Sequence, residues 1–143
     1  MSLVYLKGLE TLTSNGGAAW DDAGSDLRAV LMSASHTEDQ TDEWLSDVNA
    51  NIISQAPTPA VLASSTVSID IPNLRVELDT ADLVFASVGA GDLPSFVVIY
   101  LNTGNPATSA LICSLTLTSP PAPDGGSYTA IIGADGAVQL MNA

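Results

Sequence analysis

Hydrophobic positions along the chain follow three patterns. The longest unbroken apolar run, Phe96-Val97-Val98-Ile99-Tyr100-Leu101, is β-branched and aromatic and lies between Pro94 and Gly104. It is too short to span a membrane and too punctuated for a helix, so it predicts a strand covered on both faces. After Asn102-Thr103-Gly104-Asn105-Pro106 the chain alternates. Leu111, Cys113, Leu115 and Leu117 define a core face, and Ile112, Ser114 and Thr116 a half-wet one, which makes Phe96 to Leu117 an antiparallel hairpin.

The same period of two recurs in Val67, Ile69 and Ile71, and again in Leu74, Val76 and Leu78 beyond a Pro72-Asn73 turn. These predict two half-buried strands. Leu27 to Met32 predicts an earlier strand after the Asp21 to Asp26 turn. Leu83-Val84-Phe85 follows the turn Asp79 to Asp82, and Gly89 to Asp92 leads into the central hairpin. Ser119 to Gly126, rich in proline, reads as an exposed loop. Tyr128 to Ile132 and Ala137 to Met141 read as a last hairpin bent at Asp135-Gly136.

A helical spacing is confined to the beginning of the chain. Leu3, Tyr5, Leu6, Leu9 and Leu12 form an apolar stripe closed by Ser14-Asn15-Gly16-Gly17, which predicts a short helix with a glycine C-cap. Thr41 is placed to cap a second short helix through Val48, with Trp44, Leu45 and Val48 on its buried side. Gln55 to Pro59 is a connector that cannot be a central strand. The expected fold is therefore mainly β: residues 1–143 form a single-domain antiparallel β-sandwich or small barrel. One or two short helices lie in the N-terminal third, and residues 1–16 form a helical N-terminal segment.

Charge narrows the range of partners. Three Lys and Arg against sixteen Asp and Glu give a formal net charge of −13. Lys7, Arg28 and Arg75 cannot build the basic patch that nucleic acid or an anionic membrane requires. Charged residues are only 13% of the chain and hydrophobic ones 46%, so the surface must be largely Ser, Thr, Ala, Asn and Gly. Such a polar, weakly charged surface suits an extensively contacted structural protein and also suits many secreted domains. Met1 to Leu12 lacks the basic start of a signal peptide, so secretion by the ordinary route is not expected. A single cysteine excludes an intrachain disulfide, and Cys113 on an apolar strand face reads as a small core residue.

Reactive chemistry has little support. His36 with Glu38 and Asp39 lacks the ligand spacing of a zinc or iron site and reads as a solvated loop. Asp21 with Asp22, and Asp79 with Asp82, lie in Gly-, Thr- and Ala-rich turns where aspartate bonds nearby backbone. The segment from Asp21 to Met32 places hydrophobic residues at the ligand positions of a calcium loop. Gly89-Ala90-Gly91 is not followed by the lysine or third glycine of a phosphate cradle, and no Gly-x-Ser-x-Gly elbow occurs. Trp20 and Trp44 adjoin apolar positions, which favours packing over a sugar-stacking platform. No cofactor, metal or catalytic residue is expected.

Several stretches together resemble a family of small tailed-bacteriophage structural proteins. They are Tyr5-Leu6-Lys7-Gly8, Trp20 with Leu27 to Leu31, Val76 to Phe85 containing Asp79-Thr80-Ala81-Asp82-Leu83-Val84-Phe85, and Phe96 to Gly104 with Ser109 to Ile112. The similarity spans nearly the whole chain, although the family pattern has a shorter, less proline-rich last loop. It implies a virion component, made in the bacterial host cytoplasm and located on the capsid surface as a decoration or cement protein. Its implied partners are the major capsid protein and copies of itself, a trimer at threefold positions being one arrangement. Neither nucleic acid nor membrane is an expected partner. A tail or connector component, or a non-viral carbohydrate- or protein-binding module, is the alternative. The pieces least committed to a sheet are the N-terminal segment and the proline loop. They supply the candidate partner-binding residues: Leu3, Tyr5, Leu6, Leu9, Pro120, Pro121 and Pro123.

Overall fold

The computed structural model describes residues 2–13 and 19–141. The described chain is mainly β, with ten strands in three antiparallel sheets and two short α-helices, in a sandwich-like arrangement. In order, the elements are β1 (Ser2–Val4), α1 (Leu6–Thr13), β2 (Leu27–Met32), α2 (Leu45–Val48), a 3₁₀ turn (Asn49–Asn51), β3 (Ala60–Val61), β4 (Thr66–Asp70), β5 (Arg75–Asp79), β6 (Leu83–Phe85), β7 (Phe96–Leu101), β8 (Leu111–Thr116), β9 (Tyr128–Ala130) and β10 (Val138–Met141). The largest sheet runs β1-β8-β7-β2-β3, the second β10-β5-β4, and β6 pairs with β9.

The unbroken apolar run becomes β7, at the centre of the largest sheet, and both of its faces are covered as expected. Val97 and Ile99 enter the main core with Leu27, Leu31, Leu78, Phe85 and Val138. Val98 and Tyr100 enter a second core with Tyr5, Val30, Met32, Leu45, Val48 and Leu111. A strand between two cores must be apolar at consecutive positions, which is why its sequence does not alternate.

The hairpin partner β8 departs from its expected alternation. Ile99 pairs with Cys113 but Tyr100 with Leu111, so the register slips at Ile112. That bulge moves Leu111 to the face of the second core while Cys113 stays on the main one. Leu111, Ile112, Cys113 and Ser114 are all buried, so the half-wet face is confined to the far end of the strand.

The start of the chain is also more committed than expected. Leu3 lies in β1, which pairs with β8 through Leu3 and Ser114, and the helix begins only at Leu6. The Tyr5 N–H donates to the Ile112 carbonyl at 3.1 Å, and Gly8 packs on the Ile112 backbone. The edge of β8 thus takes residues 2–4 as a strand before the helical stripe can begin. The expected cap at Ser14 to Gly17, and the end of the 1–16 segment, lie outside the described residues. The second helix is reduced to Leu45–Val48, and Thr41 does not cap it. The Asp47 carboxylate accepts the N–H groups of Glu43 and Trp44 at 3.1 and 2.9 Å, whereas Thr41 is held by Asp39. Leu45 and Val48 are buried, and Trp44 is half-buried beneath the Lys7 ammonium, 4.8 Å from its ring centre.

Two further expectations are corrected. Tyr128 to Ile132 and Ala137 to Met141 do not form a hairpin. β9 pairs with β6 and β10 with β5, because the Gly133 to Gly136 turn hands the chain from one sheet to another. The strands on either side of Pro72-Asn73 do pair, with Asp70 opposite Arg75, but only β5 is half-buried; β4 is exposed along nearly its whole length.

Candidate interaction surface

The chemistry-bearing residues are occupied structurally. Cys113 is fully buried, and burial pushes its thiol up to about 12, far from a reactive thiolate. Asp22 accepts the Gly24 N–H at 2.9 Å and Asp79 the Thr80 N–H at 2.8 Å, local bonds of the kind their turns predict, whereas Asp82 reaches across to the Ile132 N–H at 2.8 Å, a long-range contact rather than turn chemistry. Trp20 is buried and its Nε1 donates to the Asp79 carbonyl at 2.7 Å. His36 corrects the solvated-loop reading: it is buried, with its ring edge against Phe96 at 5.4 Å. Burial lowers its pKa despite the nearby Glu38 and Asp42 carboxylates. Among the described residues no three metal-binding side chains come together. An open groove of about 570 Å³ is lined by Trp20, Asp21, Asp22, Asp26, Val61 and Leu62, but Asp26 there is already paired with Arg28 and Asn102.

The surface feature that stands out is the β4–β5 hairpin. Ile69, Ile71 and Leu74 are 76%, 73% and 71% exposed, and Met141 and Val67 are also exposed. Cross-strand register shows why. One apolar row runs Val138, Leu78, Val67, and the next Leu140, Val76, Ile69. Burial falls along the first row from β10 outward, from 0% exposed at Val138 through 4% at Leu78 to 43% at Val67, and in the second Leu140 and Val76 are half-buried while Ile69 is exposed. The apolar face therefore extends beyond the core that covers its inner part. A shallow hollow at the outer end is lined by Ile69, Ile71, Leu74, Val76 and Leu140.

This arm is held firmly. Arg75, at the root of the turn, is bonded to Asp70 at 2.9 Å, Glu77 at 2.7 Å, Asp135 at 3.0 Å and Gln139 at 3.0 Å. Asp70 also accepts from the Asn73 side chain at 2.6 Å and lies low in pKa, with the Asn73 bond as the largest cause. Leu74 sits at φ +52°, a left-handed conformation that a bulky residue adopts only when its surroundings impose it. The turn thus presents two large apolar side chains to solvent, one of them on strained backbone.

The sequence-predicted partner-binding residues are dispersed. Leu3 and Leu9 are half-buried, Tyr5 is buried in the second core, and Leu6 is exposed. Pro120 is half-buried, Pro121 exposed and Pro123 buried, so the proline loop is partly tucked in. At its far end the Val88 N–H donates to the Gly126 carbonyl and the Val88 carbonyl accepts the Gly125 N–H. Tyr5 and Pro123 are therefore withdrawn from the surface, while Leu6 and Pro121 lie on it. The arm was legible in part: no charged residue lies between Asp47 and Asp70, and Ile71 and Leu74 flank a Pro-Asn turn.

All three cations are closed by ion pairs, Lys7 with Glu10, Arg28 with Asp26, and Arg75 with its three carboxylates, so the excess negative charge is left to the surface. Comparison with family models, curated proteins and solved structures gives no match.

Proposed function

We propose that this protein is a structural component of a tailed-bacteriophage virion, a decoration protein that docks on the outside of the head through the tip of the β4–β5 arm. The observation that carries this reading is the rigid presentation of Ile71 and Leu74 to solvent. A turn fixed by a four-partner arginine and strained at Leu74 has no folding reason to expose these side chains, and a preorganised apolar tip loses little entropy when a partner covers it. The partner is a protein face with an apolar depression and no acidic rim, because this chain has no unpaired cation to offer one. The resemblance of Asp79 to Phe85 and of Phe96 to Gly104 to phage structural proteins supports the choice of a virion. The −13 charge supports its exterior over a lumen filled with DNA. Such a role takes no cofactor, and retention arises from repetition of a modest contact over a symmetric shell.

The test is immunogold labelling of particles purified from a lysate of bacteria carrying the gene, using an antibody to this chain. Label over the head exterior is the expected result. Label confined to the tail would favour the tail or connector reading, and unlabelled particles would overturn a virion role altogether.

A further inference from the structure

The β4–β5 arm has a second unsatisfied feature besides its tip. β4 closes its sheet in the order β10-β5-β4, so among the described residues one side of its backbone has no neighbouring strand. It is a five-residue edge, longer than the other edge strands: β1, β6 and β9 have three residues each, β3 two and β10 four. Natural edges are guarded by lysine, proline or inward charge. Thr66-Val67-Ser68-Ile69-Asp70 contains none of these except Asp70, which Asn73 and Arg75 already engage.

We infer that the β4 edge pairs antiparallel with β4 of a second copy of this chain. The inference rests on reading the arm as a contact surface, not on which shell its tip meets. The segment is self-complementary about Ser68. In a two-fold arrangement Ser68 faces Ser68 of the other copy, Val67 faces Ile69, and Thr66 faces Asp70. The apolar pairs fall on one face of the joined sheet and the polar pairs on the other, because residues alternate along a strand. Each apolar row that stops in solvent at Val67 or Ile69 is thereby continued by the partner's Ile69 or Val67. Charge points to the same place. Two copies at −13 repel over most of their surfaces, whereas the one charge on β4, Asp70, and Glu77 opposite Ser68 are both paired with Arg75. A basic foreign strand would meet no complementary carboxylate here, since Asp70 is engaged. The self-match therefore favours a second copy.

Register makes the test specific. Cys113 is fully buried, so a cysteine introduced on β4 is the only accessible thiol among the described residues. Under mild oxidation of the purified protein, Ser68→Cys is expected to yield a disulfide-linked species of twice the monomer mass. Thr66→Cys, which faces residue 70, and Thr129→Cys, on the exposed side of β9, stay monomeric. Sedimentation velocity supplies an independent reading. Ile69→Glu shifts the concentrated protein toward monomer, whereas Val84→Glu, the same charge change at an exposed position of β6, leaves its distribution as in the wild type. Ser68→Cys that links no faster than Thr129→Cys, or equal sedimentation of the two glutamate variants, overturns the pairing. Neither result touches docking of the tip, which is read on particles.

Discussion

At the scale of single residues, the constraints come from contacts that no local pattern announces. Gly8 lies within α1, where alanine is ordinarily favoured by about 1 kcal/mol. A Cβ at this position would stand 2.5 Å from the Ile112 carbonyl oxygen and 2.7 Å from its Cα, both backbone atoms that cannot rotate away. Gly8→Ala is therefore expected to destabilise the fold by about 2 kcal/mol, read as a lower urea midpoint. His36 gives a pH signature. Its folded pKa is depressed by burial below the usual value of about 6.5, so its contribution is complete above that pH and is lost as pH falls through the folded pKa. Asp42 acts in the opposite sense, because burial and neighbouring acids raise its pKa, but it regains stability only as it protonates on the way toward the carboxylate range of about 3.9. Urea unfolding of the wild type and His36→Phe should therefore diverge between about pH 7 and pH 5, with only the wild type weakening through His36. The burial of His36 was not legible in Ser35 to Asn51, whose polar composition reads as solvated. Its partner Phe96 lies sixty residues further along the chain and meets it only in the fold.

Elements were most legible where burial was uniform. β2 and β7 have the bounds their sequences predict, because a strand covered on both faces is apolar at nearly every position, Arg28 being the exception in β2. Pairing was less legible. Tyr128 and Val138 have the periodicity of a hairpin around Asp135-Gly136, yet the choice between a neighbour in sequence and β6 or β5 is made by tertiary packing. Alternation in β4 likewise identified a strand without showing that its apolar side lacks a cover, since a sequence records period and not what lies opposite. The arm separates two kinds of apolar residue. Ile71→Ser should change unfolding free energy by no more than about 0.5 kcal/mol, whereas Leu78→Ala, in the same sheet but buried, should lose about 2–5 kcal/mol. Leu74→Asn should stabilise the isolated protein by about 1 kcal/mol, because asparagine tolerates the left-handed conformation that leucine resists. A gain in melting temperature accompanied by weaker retention on particles is the expected outcome, and it would mark Leu74 as kept for contact at the expense of stability.

For the whole molecule, charge and apolar surface have separate tasks. The −13 charge opposes contact between copies everywhere but at a surface built to pair, the β4 edge in the arrangement inferred above. The apolar arm supplies attraction where a partner fits it. Attachment through such a tip should survive about 1 M salt, where the screening length is near 3 Å, whereas attachment through surface charges would be released. Deleting residues 1–13 is not a clean test of attachment, because β1 completes the largest sheet and Tyr5 fills the second core. The tip can be altered without touching either core. The most direct measurement is therefore the fraction of protein that co-sediments with purified phage particles, comparing wild type with the folded double variant Ile71→Ser, Leu74→Ser. The wild type is expected with the particles and the variant in the supernatant; a variant retained as fully as the wild type would contradict docking through the arm.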